Sequence, residues 1–80
     1  MNKEQILASA ALHGVKVTET TYGMFNPEPV YSFEPVNSNR FPYRESMYHV
    51  SCNRSRSELV SGVRLMAERM NVELKGFPAK

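Results

Sequence analysis

The chain is 80 residues long with a formal net charge of +2. That length allows one domain with a thin core, because a chain this small buries only about 60% of the surface its unfolded form exposes. The single cysteine, Cys52, excludes an internal disulfide and fits a reducing compartment, and no apolar run approaches the roughly 20 residues that span a bilayer. A soluble, cytoplasmic protein is expected, steadied by good packing, a partner chain or self-association.

The distribution of charge says more than its sum. Residues 1–36 carry Lys3 and Lys16 against Glu4, Glu19, Glu28 and Glu34, whereas residues 37–80 carry every arginine and only four glutamates against them. Such asymmetry predicts one electropositive face, suited to an acidic protein surface or to nucleic acid.

The N-terminus, M-N-K-E-Q-I-L-A-S-A-A-L-H-G, has a short apolar stretch, but Glu4 and Gln5 interrupt it and an amphipathic helix explains it better than a signal peptide. Asn2 and Gln5 have the spacing of a capping box. Ile6, Leu7, Ala10 and Ala11 form one stripe, and Gly14 suits the left-handed residue that ends a helix. A helix is therefore predicted from about residue 3 to 13, with Leu12 off its stripe and His13 as a cationic ring at its end.

Val15 to Tyr22 is rich in β-branched residues and reads as a strand ending near Gly23. Asn26-Pro27-Glu28-Pro29 is a turn by composition. Val30 to Glu34 alternates as a second strand, and the flanking Pro29 and Pro35 place it at an edge or make it brief. A loop is expected over Asn37 to Arg44, then a third strand from Ser46 to Cys52 with Tyr48, Val50 and Cys52 facing the core.

Ser55 and Glu58 repeat the capping-box spacing, and Leu59, Val63, Met66, Ala67 and Met70, widened by Val60, mark a helix from about Arg56 to Met70. Gly62 lies at the margin of that stripe and costs roughly 1 kcal/mol relative to alanine, which predicts close contact with a neighbour. Asn71 suits a left-handed helix end. Val72-Glu73-Leu74 is a candidate extended segment, and residues 76–80 read as a tail.

The order helix, strand, strand, strand, helix predicts an α+β domain: a three-stranded antiparallel sheet with both helices on one face. In topology it resembles the double-stranded RNA-binding domain over most of the chain. That family carries a lysine-rich motif at the start of its second helix. Here the position reads Arg54-Ser55-Arg56-Ser57-Glu58, so no functional residue is carried over.

Chemistry is sparse. His49 and Cys52 lie three apart on a strand, so their side chains diverge and no nucleophile–base pair is expected. His13 and His49 belong to no metal-ligand pattern, and the four glycines are isolated rather than gathered in a phosphate loop. No catalytic residue, metal or cofactor is expected. Met24 and Met47 are candidates for an adaptable binding surface.

What remains is the basic, aromatic segment 37–56. Arg40, Phe41, Tyr43, Arg44, Arg54 and Arg56 are the candidate contact residues, with Leu65 as an outlying one. Arginine and tyrosine tend to anchor protein interfaces. The expected function is therefore a non-catalytic protein that docks on an acidic surface of a protein partner, as inhibitor or adaptor. In size and composition the chain resembles the small inhibitors encoded by phages and mobile elements, including anti-CRISPR proteins. Nucleic-acid binding through the same residues is the alternative, since arginines meet phosphates and aromatic rings stack on unpaired bases. No membrane association is expected, and a homodimer is a candidate state because the core is thin and the proline-flanked second strand is expected to leave an edge exposed.

Overall fold

The computed structural model describes residues 1–25, 27–37, 48–51 and 54–78. Its elements are α1 (Lys3–Leu12), β1 (Val15–Tyr22), β2 (Glu28–Pro35), β3 (His49–Ser51) and α2 (Arg56–Arg69). The strands form one antiparallel sheet in the order β1-β2-β3. Both helices pack on the sheet, giving the expected α+β fold.

Local chemistry sets the helix ends. At the start of α1 both halves of the capping box are made, with Gln5 N–H donating to Asn2 Oδ1 and Asn2 N–H to Gln5 Oε1, each at 2.9 Å. Gly14 ends α1 at φ +87°, a conformation that a side chain disfavours. Asn71 does the same for α2 at φ 58°, where Val72 N–H reaches Ala67 O and Asn71 N–H reaches Glu68 O. Ser55 caps α2 through Glu58 N–H, while the Glu58 carboxylate accepts from Ser51 Oγ at 2.9 Å and ties the helix start to β3.

β2 is not an edge strand; it runs eight residues through the centre of the sheet. The prolines are tolerated for a geometric reason. Val36 N–H donates to Gly14 O at 2.9 Å, extending the register in which Val15 opposes Pro35. Even-numbered residues of β2 therefore bond toward β1, and odd-numbered ones point toward β3. Pro29 and Pro35 are odd-numbered, and among the described residues β3 opposes Tyr31 to Phe33. Their missing N–H groups lie beyond its ends.

The third strand also faces the other way from expectation. Ser51 opposes Tyr31 and His49 opposes Phe33, so these two look toward the helices, and the His49 and Phe33 rings lie 5.7 Å apart. Tyr48 is exposed, and its hydroxyl donates to Ser32 Oγ at 3.2 Å. Cys52 lies outside the described residues. Apolar alternation failed here because Ser51 is satisfied by Glu58 and needs no solvent.

The core joins Ile6 and Ala10 of α1, Val15 of β1, Tyr31 and Phe33 of β2, and the expected stripe of α2. Phe77 joins them, which corrects the reading of residues 76–80 as a tail. Arg64 holds it there: Nη2 donates to Phe77 O at 2.9 Å and Nε to Pro78 O at 2.7 Å, with the guanidinium 5.7 Å from the Phe77 ring. Val72 to Leu74 forms no strand but packs against this cluster.

Gly62 is the tightest point of the core. A Cβ there would fall within 3.0 Å of Phe33 Cζ, Cε1 and Cε2 together, which places it over the ring face. The ring is wholly buried and flanked by Tyr31 and His49 at centroid distances of 6.0 and 5.7 Å, which opposes its retreat. Gly62→Ala gains about 1 kcal/mol of helix propensity but overpacks the core, which typically costs about 1–3 kcal/mol. The variant should unfold at lower temperature, with a net loss of up to about 2 kcal/mol, and Phe33→Leu should recover part of it in combination. A more stable Gly62→Ala protein would show that the contact is loose.

Candidate functional site

The arginines are placed by backbone carbonyls. Arg54, just before α2, turns its side chain back over the sheet: Nη2 donates to Thr20 O at 2.6 Å and Nη1 lies 3.8 Å from Glu19 Oε2. Tyr31 Oη donates to Arg54 O at 3.2 Å, so the same residue is held from both ends. Arg54 Nε is buried without a partner. A guanidinium fork committed in this way locks the entry of α2 to β1. Arg56 is exposed, and its Nε donates to Met1 O at 3.2 Å.

Glu19 gathers charge on this side of the sheet, accepting Lys3 Nζ at 2.5 Å beside Arg54. Its hydrogen bond to Lys3 is the main reason that the Lys3 ammonium titrates above 10.5. The raised value means that the pair supports folding below that pH and is lost as pH climbs through the folded-state value.

Of the other candidates, Leu65 is half-buried on α2. Arg40, Phe41, Tyr43 and Arg44 lie outside the described residues, between Asn37 and Tyr48. The structure thus brings Arg54 to the β1 side of the sheet and does not gather it with Leu65.

One cavity stands at the root of that segment. It measures about 270 Å³ and is lined by His13, Gly14, Val36, Asn37, Met70, Asn71 and Val72. Both helices end here, so the negative ends of two helix dipoles flank it. His13 supports the wall from α1: Nδ1 donates to Ser9 O at 2.7 Å, and Nε2 accepts Lys75 N–H at 3.4 Å. The ring thus links the end of α1 to the chain at Lys75. Val36 is more than half exposed at the rim. The sequence offered two hints of this site, the left-handed Gly14 and Asn71, but its lining comes from three separate stretches of chain.

Further apolar groups are exposed elsewhere. Leu12 at the end of α1, and Met24 and Phe25 in the β1–β2 turn, are almost wholly open to solvent. Among the described residues no group of three or more His, Cys, Asp or Glu side chains could hold a metal ion, and no described helix is long and apolar enough to cross a membrane.

The role of Arg54 is open to direct test. Arg54→Met should lower stability by about 1.5–3 kcal/mol, the usual worth of hydrogen bonds to a charged group, measured by denaturant unfolding. A change within about 0.5 kcal/mol, as at an ordinary surface position, would contradict the structural role. No protein-family model, curated protein or solved structure matches this chain.

Proposed function

We propose that this chain is a non-catalytic interaction protein that docks on a protein partner, as inhibitor or adaptor. The observation that carries this reading is the cavity of about 270 Å³ at the root of the basic, aromatic segment. Sites for small molecules usually span about 300–1,000 Å³ and supply several convergent polar groups. A smaller, open cavity lined in part by Val36, Met70 and Val72 suits one large side chain of a protein, the kind of anchor that dominates interface energetics.

The two helix-dipole ends favour an anchor that carries a hydrogen-bond donor, and Arg40 and Arg44 add positive charge beside it in sequence. The partner is accordingly expected to present an apolar anchor within an acidic surface. Nucleic acid draws less support, because Arg54 spends its donors on Thr20 and Glu19 and a net charge of +2 is small for binding that depends on several neutralised phosphates.

The test is affinity capture from native host extract with three baits: wild type, Val36→Asp, and Arg40→Glu with Arg44→Glu. A host protein held by wild type should be lost from both variants, whose unfolding temperatures should stay near wild type. Capture of that protein undiminished by either variant would contradict the proposed surface. Retention of nucleic acid that falls steeply with salt would favour the other reading.

A further inference from the structure

We propose that the outer edge of β1 is a homodimer interface, at which two copies pair antiparallel about a two-fold axis through Thr18 to build a six-stranded sheet. This surface is separate from the cavity, and the inference does not depend on the docking function.

Val36 N–H donates to Gly14 O at one end of the β1–β2 pair. This bond fixes which groups of β1 meet β2: those of Lys16, Thr18, Thr20 and Tyr22. The N–H and C=O groups of Val15, Val17, Glu19 and Thr21 therefore point away from the sheet, at its edge. The edge is eight residues long and contains no proline. Such a strand is a template for another strand.

Three features select a second copy as the occupant. The first is register. In an antiparallel pair centred on Thr18, Val15 opposes Thr21 of the other copy and Val17 opposes Glu19, so every outward group on both strands finds a partner. The second is charge. This register sets Lys16 against Thr20 and Thr18 against itself, so no like charges face each other, whereas centring on Glu19 would oppose two carboxylates.

The third is the placement of the exposed apolar groups. Leu12, 87% exposed, ends α1 just before the start of β1, and Met24, 93% exposed, follows its end. A two-fold axis at Thr18 carries Leu12 of one copy toward Met24 of the other, at both ends of the interface. Phe25, 92% exposed, follows Met24. The same surface thus complements itself, as a two-fold interface requires. A strand from an unrelated protein would have no reason to meet this symmetry.

The experiment uses sedimentation velocity over the micromolar to millimolar range, together with disulfide trapping. Wild type should shift from monomer to dimer as concentration rises. Thr18 faces its symmetry mate at a non-hydrogen-bonded pair, where Cα atoms are about 4.5 Å apart, a separation that a disulfide can bridge. Thr18→Cys in a Cys52→Ala background should therefore form a covalent dimer under mild oxidation, and Lys16→Cys in the same background should not. Thr18→Lys, a change at an exposed position, should raise the dissociation constant about tenfold or more without lowering the unfolding temperature. A monomer at every concentration would overturn the proposal. So would a dimer that Thr18→Cys fails to trap or that Thr18→Lys leaves intact, since its interface would lie elsewhere.

Discussion

The seat of Phe33 on Gly62 is the constraint on which the rest of this structure depends. The ring belongs to the central strand and the glycine to the longer helix, so the contact sets how closely α2 approaches the sheet. Any side chain at position 62 would hold the helix away and open the space now filled by Leu59, Val63 and Met66. A core this thin has few other contacts with which to absorb such a gap. The absent side chain lowers helix propensity locally and is offset by the packing it permits. Once Phe33 faces α2, the two-residue repeat of the strand fixes the facing of its neighbours: Tyr31 looks inward, and the opposed His49 and Ser51 follow.

Arginine does much of the remaining work of holding chain segments to this core. Arg54 fastens the entry of α2 to β1 through the Thr20 carbonyl, and Arg64 fastens the C-terminal residues through Phe77 and Pro78. In a small domain, a planar fork of donors is an economical way to satisfy carbonyls that no secondary structure reaches. The charge asymmetry of the sequence therefore has two origins. Part of it is internal scaffolding. The rest includes Arg40 and Arg44, which lie outside the described residues.

Features governed by nearby residues were legible in the sequence. The Asn2–Gln5 box, the left-handed Gly14 and Asn71, the apolar stripe of α2 and the close contact at Gly62 all depend on neighbours within a turn or on one helix face. What could not be seen depends on distant partners. Whether Pro29 and Pro35 exclude a central strand is decided by how far β3 reaches. Whether Ser51 can point inward is decided by Glu58, and whether Arg54 anchors a partner or a fold is decided by a carbonyl 34 residues away. Phe77 looked like part of a tail because nothing beside it in sequence announces Arg64. The cavity was equally hidden, since no single segment contains enough of its lining to suggest it.

Among the described residues, the helices pack on the sheet, and the outer edge of β1 pairs with no other strand. Alternate backbone groups of this edge point away from the sheet, and the proposed dimer requires that they match those of a second copy. Residue-resolved amide hydrogen exchange along β1 tests that requirement most directly. In dilute solution the amides of Lys16, Thr18 and Thr20 should exchange slowly and those of Val17, Glu19 and Thr21 quickly. At high concentration the second set should become protected as well. Equal protection of both sets in dilute solution, or an alternation that ignores concentration, would contradict it.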